Sequence, residues 1–181
     1  MMRDLEPLVD RLREAAGRAA ARSAAYDVAR LAVDDAVAVT PGSADRVVAA
    51  VRRLIEDGTP WRADALAVLI YVLDHAHVYR NLRAEARTYR GEWDFGIAAE
   101  QAVEHALHGF DRVVRDMLDD PDPETRSLAA LTLVRISSEP GADRGLLWML
   151  AEGEPDDRAR ACLVEAVQGG PRTWRWPAEE I

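Results

Sequence analysis

Apolar positions recur every three to four residues through most of the chain, the spacing of one buried face per helix. Leu5, Leu8, Val9, Leu12, Ala15, Ala16 and Ala19 open the pattern, and Tyr26, Val28, Leu31, Val33 and Val37 continue it. The spacing predicts helix over 3–38, broken in two at Gly17 or Ser23. Thr40-Pro41-Gly42 stops it, and Ser43 is placed to cap the next helix. An amphipathic helix follows from Ser43 to Asp57, with Val47, Val48, Val51, Leu54 and Ile55 on its apolar side. Gly58-Thr59-Pro60 turns the chain into a strongly apolar helix from Trp61 to His75. Residues 76–96 read as less regular, rich in arginine and aromatics. Further helices are expected over 97–107, 109–118, 124–136, 144–151 and 158–167, with Pro121-Asp122-Pro123 and Pro140-Gly141 between them. Gly169-Gly170-Pro171 releases a short tail. Strand-like alternation of β-branched residues is missing, so the fold class is all-α.

A register underlies these helices. Leu118, Asp120 and Arg126 form Leu-x-Asp-x5-Arg, and Leu150, Glu152 and Arg158 repeat it 32 residues later. Leu54, Glu56 and Arg62 match it 64 residues earlier, two such periods. Alanine follows each arginine by three residues, at Ala65, Ala129 and Ala161. The residue types have physical reasons. Leucine closes a first helix onto the core, an acid sits at the turn, and the arginine fork pairs with turn carboxylates. Alanine lets neighbouring helices approach. Stacked pairs of this kind bury a continuous core that one pair could not bury alone.

The stretch from Leu118 to Leu131, Leu-Asp-Asp-Pro-Asp-Pro-Glu-Thr-Arg-Ser-Leu-Ala-Ala-Leu, resembles the turn and second helix of HEAT repeats. The longer stretch Ser43 to Val167 looks like the HEAT-repeat proteins of bacteria with GC-rich genomes. The resemblance implies a short right-handed α-solenoid of antiparallel helix pairs and a binding role. It implies no single substrate. The expected organisation is an N-terminal helical segment over 1–42 (a cap or a degenerate repeat), repeats over 43–168 with an irregular unit at 74–96, and a tail over 169–181.

Composition narrows the function. A formal net charge of −9 repels phosphate backbones and sets the chain against broad nucleic-acid binding. Lysine is missing, so all 23 basic residues are arginine, whose planar fork suits carboxylates. The single Cys162 excludes an internal disulfide and a cysteine metal cluster, and it reads as an inert packed residue. No apolar run approaches the ~20 residues of a membrane span, and the N-terminus carries no apolar signal region. A cytoplasmic location is expected.

The candidate partner-binding residues stand out against this background. Arg80, Arg83, Arg87 and Arg90, spaced three, four and three apart, would form one basic stripe on a helix, able to grip an acidic partner or to balance the chain's own acidic surface. Tyr79 and Trp93 flank it. Trp174 and Trp176 lie in the tail, either folded back as a cap or exposed for a partner. Trp61 and Trp148 fall within helical pattern and read as core. His75, His77, His105 and His108, with Glu104, suggest a metal site only weakly, because no second motif joins the two pairs. Asp119, Asp120, Asp122 and Glu124 coincide with a turn and a helix start, where acids are favoured by the helix dipole. No nucleophile elbow, phosphate loop or dinucleotide fingerprint occurs. The sequence therefore names no catalytic residue, no metal ligand and no cofactor. It points to a protein–protein interaction module whose partner is another protein. An inhibitor of a basic toxin is a specific version of that reading. A HEAT-like enzyme, such as a DNA glycosylase or a bilin lyase, is the contrary one, disfavoured by the acidic charge.

Overall fold

Proline, glycine and short polar side chains fix where each helix starts and stops. The computed structural model describes residues 5–33, 43–85 and 93–168, with side chains over 5–33, 43–76 and 100–168. All regular structure among the described residues is helical: α1 (Leu5–Arg13), α2 (Arg18–Ala32), α3 (Ala44–Glu56), α4 (Arg62–Glu85), α5 (Trp93–Ala106), α6 (Asp111–Asp116) with a 3-10 turn (Met117–Asp119), α7 (Pro123–Ile136), α8 (Pro140–Gly153) and α9 (Asp157–Val167). The all-α class is as expected. None of these helices is long and apolar enough to cross a membrane.

Local chemistry accounts for the boundaries. The first break falls at Gly17, immediately before α2. Ser43 holds the N-cap position of α3 but makes no side-chain cap bond. The end of α3 is a glycine-closed turn: Gly58 adopts φ 81°, its N–H donates to the Ile55 carbonyl, and the Thr59 N–H donates to Leu54. The break after α7 falls at 137–139, and Pro140 lies inside α8 rather than between the two helices. It occupies the first turn of α8, where its missing N–H costs nothing, so α8 begins four residues earlier than expected. The described parts of the 76–96 stretch, 76–85 and 93–96, are helical, more regular than expected. α4 runs on to Glu85 and α5 begins at Trp93.

The chain divides into two compact units, one ending at Leu107 and one from His108 onward. In the first, α1 and α2 pack as a pair, α3 and α4 as another, and α2 lies against α4 while α1 touches α3. Residues 5–32 thus form a helix pair of their own. α5 packs on α3 and α4. The core holds Leu12, Val28, Val47, Leu54, Leu66, Leu69 and Ile70, each almost wholly buried. In the second unit, α7 packs on α6 and the 3-10 turn, and α9 on both α7 and α8. Phe110, Leu133, Leu147 and Leu163 fill that core.

Candidate functional site

The polar side chains at two recurring turns serve to shape the turns and cap the helices that follow. In the second unit, the Asp120 carboxylate accepts the Asp122 N–H at 2.9 Å, and the Asp122 carboxylate caps α7 by accepting from Glu124 and Thr125. The same arrangement recurs 34 residues on. Glu154 accepts the Asp156 N–H at 3.0 Å, and Asp156 caps α9 through Ala159. Arg126 Nη1 donates to the Asp120 carbonyl at 2.7 Å, and Arg160 donates to the Glu154 carbonyl at 2.7 and 2.9 Å. The structural equivalents are therefore Asp120 with Glu154, Asp122 with Asp156, and Arg126 with Arg160.

This corrects the second copy of the motif. Glu152 and Arg158 are exposed and Leu150 is half-buried, so none fills the role assigned by the 32-residue spacing. The reason is that α8 continues through Gly153, whereas α6 tapers into a 3-10 turn, and the later turn slips by two residues. The first copy shifts too. Thr59 Oγ1 accepts the Trp61 N–H at 3.2 Å, as Asp120 and Glu154 do for their turns. Arg62 is the first residue of α4, and Ala65 holds the place of Arg126. The shared signal is an acceptor followed by proline, at Thr59-Pro60, Asp120-Pro121 and Glu154-Pro155.

Arginine forks tie the second unit together. Arg126 grips Glu154 with two bonds of 2.6 and 2.8 Å. Arg115 grips Asp143 with bonds of 2.7 and 3.0 Å, and Ser138 donates to Asp111 at 2.8 Å. The Arg126 fork outweighs burial and holds the Glu154 carboxyl below its ordinary range. Burial opposes ionisation of Asp143, but Arg115 and the Ser137 hydroxyl overcome it, so its pKa is lowered as well. The Ser138 hydroxyl, against burial and with help from Arg115, lowers Asp111.

The first unit carries a different surface. Arg18, Arg22, Tyr26 and Arg30 follow one another at four-residue spacing along α2, on a single helix ridge. Arg18 and Arg30 are exposed and Tyr26 is half-buried. Arg22 is buried and anchors the ridge through Asp64 of α4 at 3.3 Å. The Arg30 guanidinium lies 6.0 Å from the Tyr26 ring centroid, at the outer reach of a cation–π contact. On α4, the Tyr71 and His75 rings are 4.1 Å apart, and His75 Nδ1 is 2.7 Å from the Tyr71 carbonyl. Burial, then Tyr26, raises the Tyr71 pKa against the pull of Arg30. Tyr79 and Arg83 continue the four-residue register from Tyr71 and His75 along the α4 backbone, and Arg80 lies on the same helix.

The sequence candidates divide accordingly. Tyr79, Arg80 and Arg83 lie on α4 and Trp93 opens α5, with side chains outside the described set. Arg87, Arg90, Trp174 and Trp176 lie outside the described residues. Trp61 is half-buried. Trp148 is not core: it is 50% exposed, beside Met149 at 64%, because α8 buries Asp143, Leu147 and Ala151 instead. His105 lies in the last turn of α5 and His108 beyond its end, so they do not share a helix face. Among the described residues, no three His, Cys, Asp or Glu side chains form a metal-binding group. Cys162 is only partly buried, and burial raises its thiol pKa.

The α2 ridge is not evident from apolar spacing, because its helix is rich in buried alanine. Its signal is the four-residue recurrence of arginine and tyrosine. Comparison with known proteins finds no match to this chain among family models, curated proteins or solved structures.

Proposed function

We propose that this chain is a helical-repeat protein-interaction module that binds an acidic segment of another protein on the α2–α4 face of its first unit. The ridge of Arg18, Arg22, Tyr26 and Arg30 beside Tyr71 and His75 carries this reading. Arginine and tyrosine are the residue types that dominate binding hot spots. Here they gather on one helix pair of a chain whose net charge is −9. An acidic partner segment would meet forks suited to carboxylates, with aromatic rings beside them.

The wider architecture in this proposal is a short right-handed α-solenoid of HEAT-like pairs acting in the cytoplasm. Two features support it. Second helices pack on one another within each unit, α2 on α4 and α7 on α9. Equivalent turns recur 34 residues apart at Asp120 and Glu154. The acidic overall charge favours a second reading, an inhibitor that covers a basic toxin with the rest of its surface.

Quantitative capture from a lysate of the source cells tests the proposal. The native chain is compared with an Arg18→Glu/Arg30→Glu variant. Proteins enriched by the native chain and lost from the variant are the expected result. Equal retention by both, or no enrichment by either, contradicts it. Capture of a strongly basic protein by both chains supports the inhibitor reading instead.

A further inference from the structure

α8 presents an unusual outer face. Trp148 and Met149 are the large hydrophobic side chains left exposed among the described residues, and they are sequence neighbours on one helix. Gly145 and Gly141 lie one and two turns before them, exposed, and a methyl group added at either would meet no atom within 4 Å. The glycines leave low ground beside two large apolar groups. A surface helix gains nothing from such a face when it is turned to water.

The charges on this face are arranged symmetrically. Arg144 stands four residues before Trp148 and Glu152 four residues after it, and both are exposed. Neither has a salt-bridge partner among the described residues. When two copies of α8 pack antiparallel about a two-fold axis at Trp148, each Arg144 faces the Glu152 of the other copy. The face is therefore complementary to itself, the condition that an isologous interface must meet.

We propose that the outer face of α8 is a self-association surface, and that its occupant is a second copy of this chain. Trp148 and Met149 form the apolar centre, the glycines admit the copy's large side chains, and two Arg144–Glu152 pairs set the antiparallel register. A single helix face lies at the small end of protein interfaces, so the dimer is weak and concentration-dependent. This surface is separate from the α2–α4 face and does not depend on the partner proposed there.

Sedimentation velocity of the full chain, from micromolar to near-millimolar concentration, tests it. The expected result is a reversible monomer–dimer equilibrium. Trp148→Glu should weaken it by about 30-fold or more, the scale of a hot-spot loss. Arg144→Glu alone and Glu152→Arg alone each set like charges opposite one another and should weaken the dimer. The double variant Arg144→Glu/Glu152→Arg restores opposite charges and should restore association. All three substituted positions are exposed, and circular dichroism checks that each variant is folded. A monomer at every concentration overturns the proposal. So does a dimer indifferent to Trp148→Glu, or a double variant no better than either single one.

Discussion

Arg126 reaches from the first turn of α7 to Glu154, the acid that shapes the turn into α9, and grips both its oxygens at 2.6 and 2.8 Å. The same guanidinium bonds the carbonyls of Asp120 and Pro121 in its own turn. One side chain thus joins two successive turns. Its side chain is 16% exposed and that of Glu154 5%, so the pair is shielded from water and salt.

Removing Glu154 leaves the shielded Arg126 guanidinium without its carboxylate, holding only the carbonyls of Asp120 and Pro121. Glu154→Ala should destabilise the protein by about 3 kcal/mol, measured by urea unfolding. Glu152→Ala, at the exposed position favoured by the 32-residue spacing, should change stability by no more than about 0.5 kcal/mol. Equal effects from the two substitutions would contradict the 34-residue register.

Arg22 and Asp64 set up a parallel test in the first unit, where the two side chains are 10% and 3% exposed. Asp64→Ala alone should cost about 3 kcal/mol, because it takes a carboxylate away from a buried guanidinium. Arg22→Met combined with Asp64→Leu should recover most of that loss, since an apolar pair of similar size avoids desolvating two charges. Thermal melts of the single and double variants check this.

Acid should loosen the second unit. The carboxyls of Asp111, Asp143 and Glu154 all have lowered pKa values in the folded chain. A lowered folded pKa means that the unfolded chain binds protons first as pH falls. The stability these groups supply is complete above the ordinary carboxylate range, about pH 4. It is lost as pH falls through their lower folded values. Unfolding followed from pH 7 to 2 should show this loss, and Asp143→Asn should reduce its size.

Gly58 closes α3 with φ 81°, a conformation that penalises any side chain with a β-carbon. Gly58→Ala should destabilise by about 1 kcal/mol. The open space around a methyl group there rules out a steric clash as the cause. Differential scanning calorimetry checks the value.

The helices were largely legible in the sequence because each needs only its own apolar spacing and end signals. Val47, Val48, Val51, Leu54 and Ile55 mark the buried side of α3 as expected. The register was less legible. Motif matching by residue type paired Asp120 with Glu152, while the hydrogen bonds pair it with Glu154. The difference comes from how far α8 extends before its turn: it runs helical through Gly153, whereas α6 ends in a 3-10 turn. Trp148 misled for a similar reason. Its place inside a helix says nothing about which side faces the core until Asp143, Leu147 and Ala151 are seen to fill it. The Arg22–Asp64 pair joins residues 42 apart in sequence, and no local pattern announces it.

The binding face is tested most directly by isothermal titration of the purified chain with a captured partner. Native protein is compared with the Arg30→Glu/Tyr71→Ala variant, and circular dichroism confirms that both are folded. A loss of affinity of at least about tenfold in the variant is the expected result, the scale of one lost hot-spot contact. Unchanged affinity would contradict the assignment of the α2–α4 face.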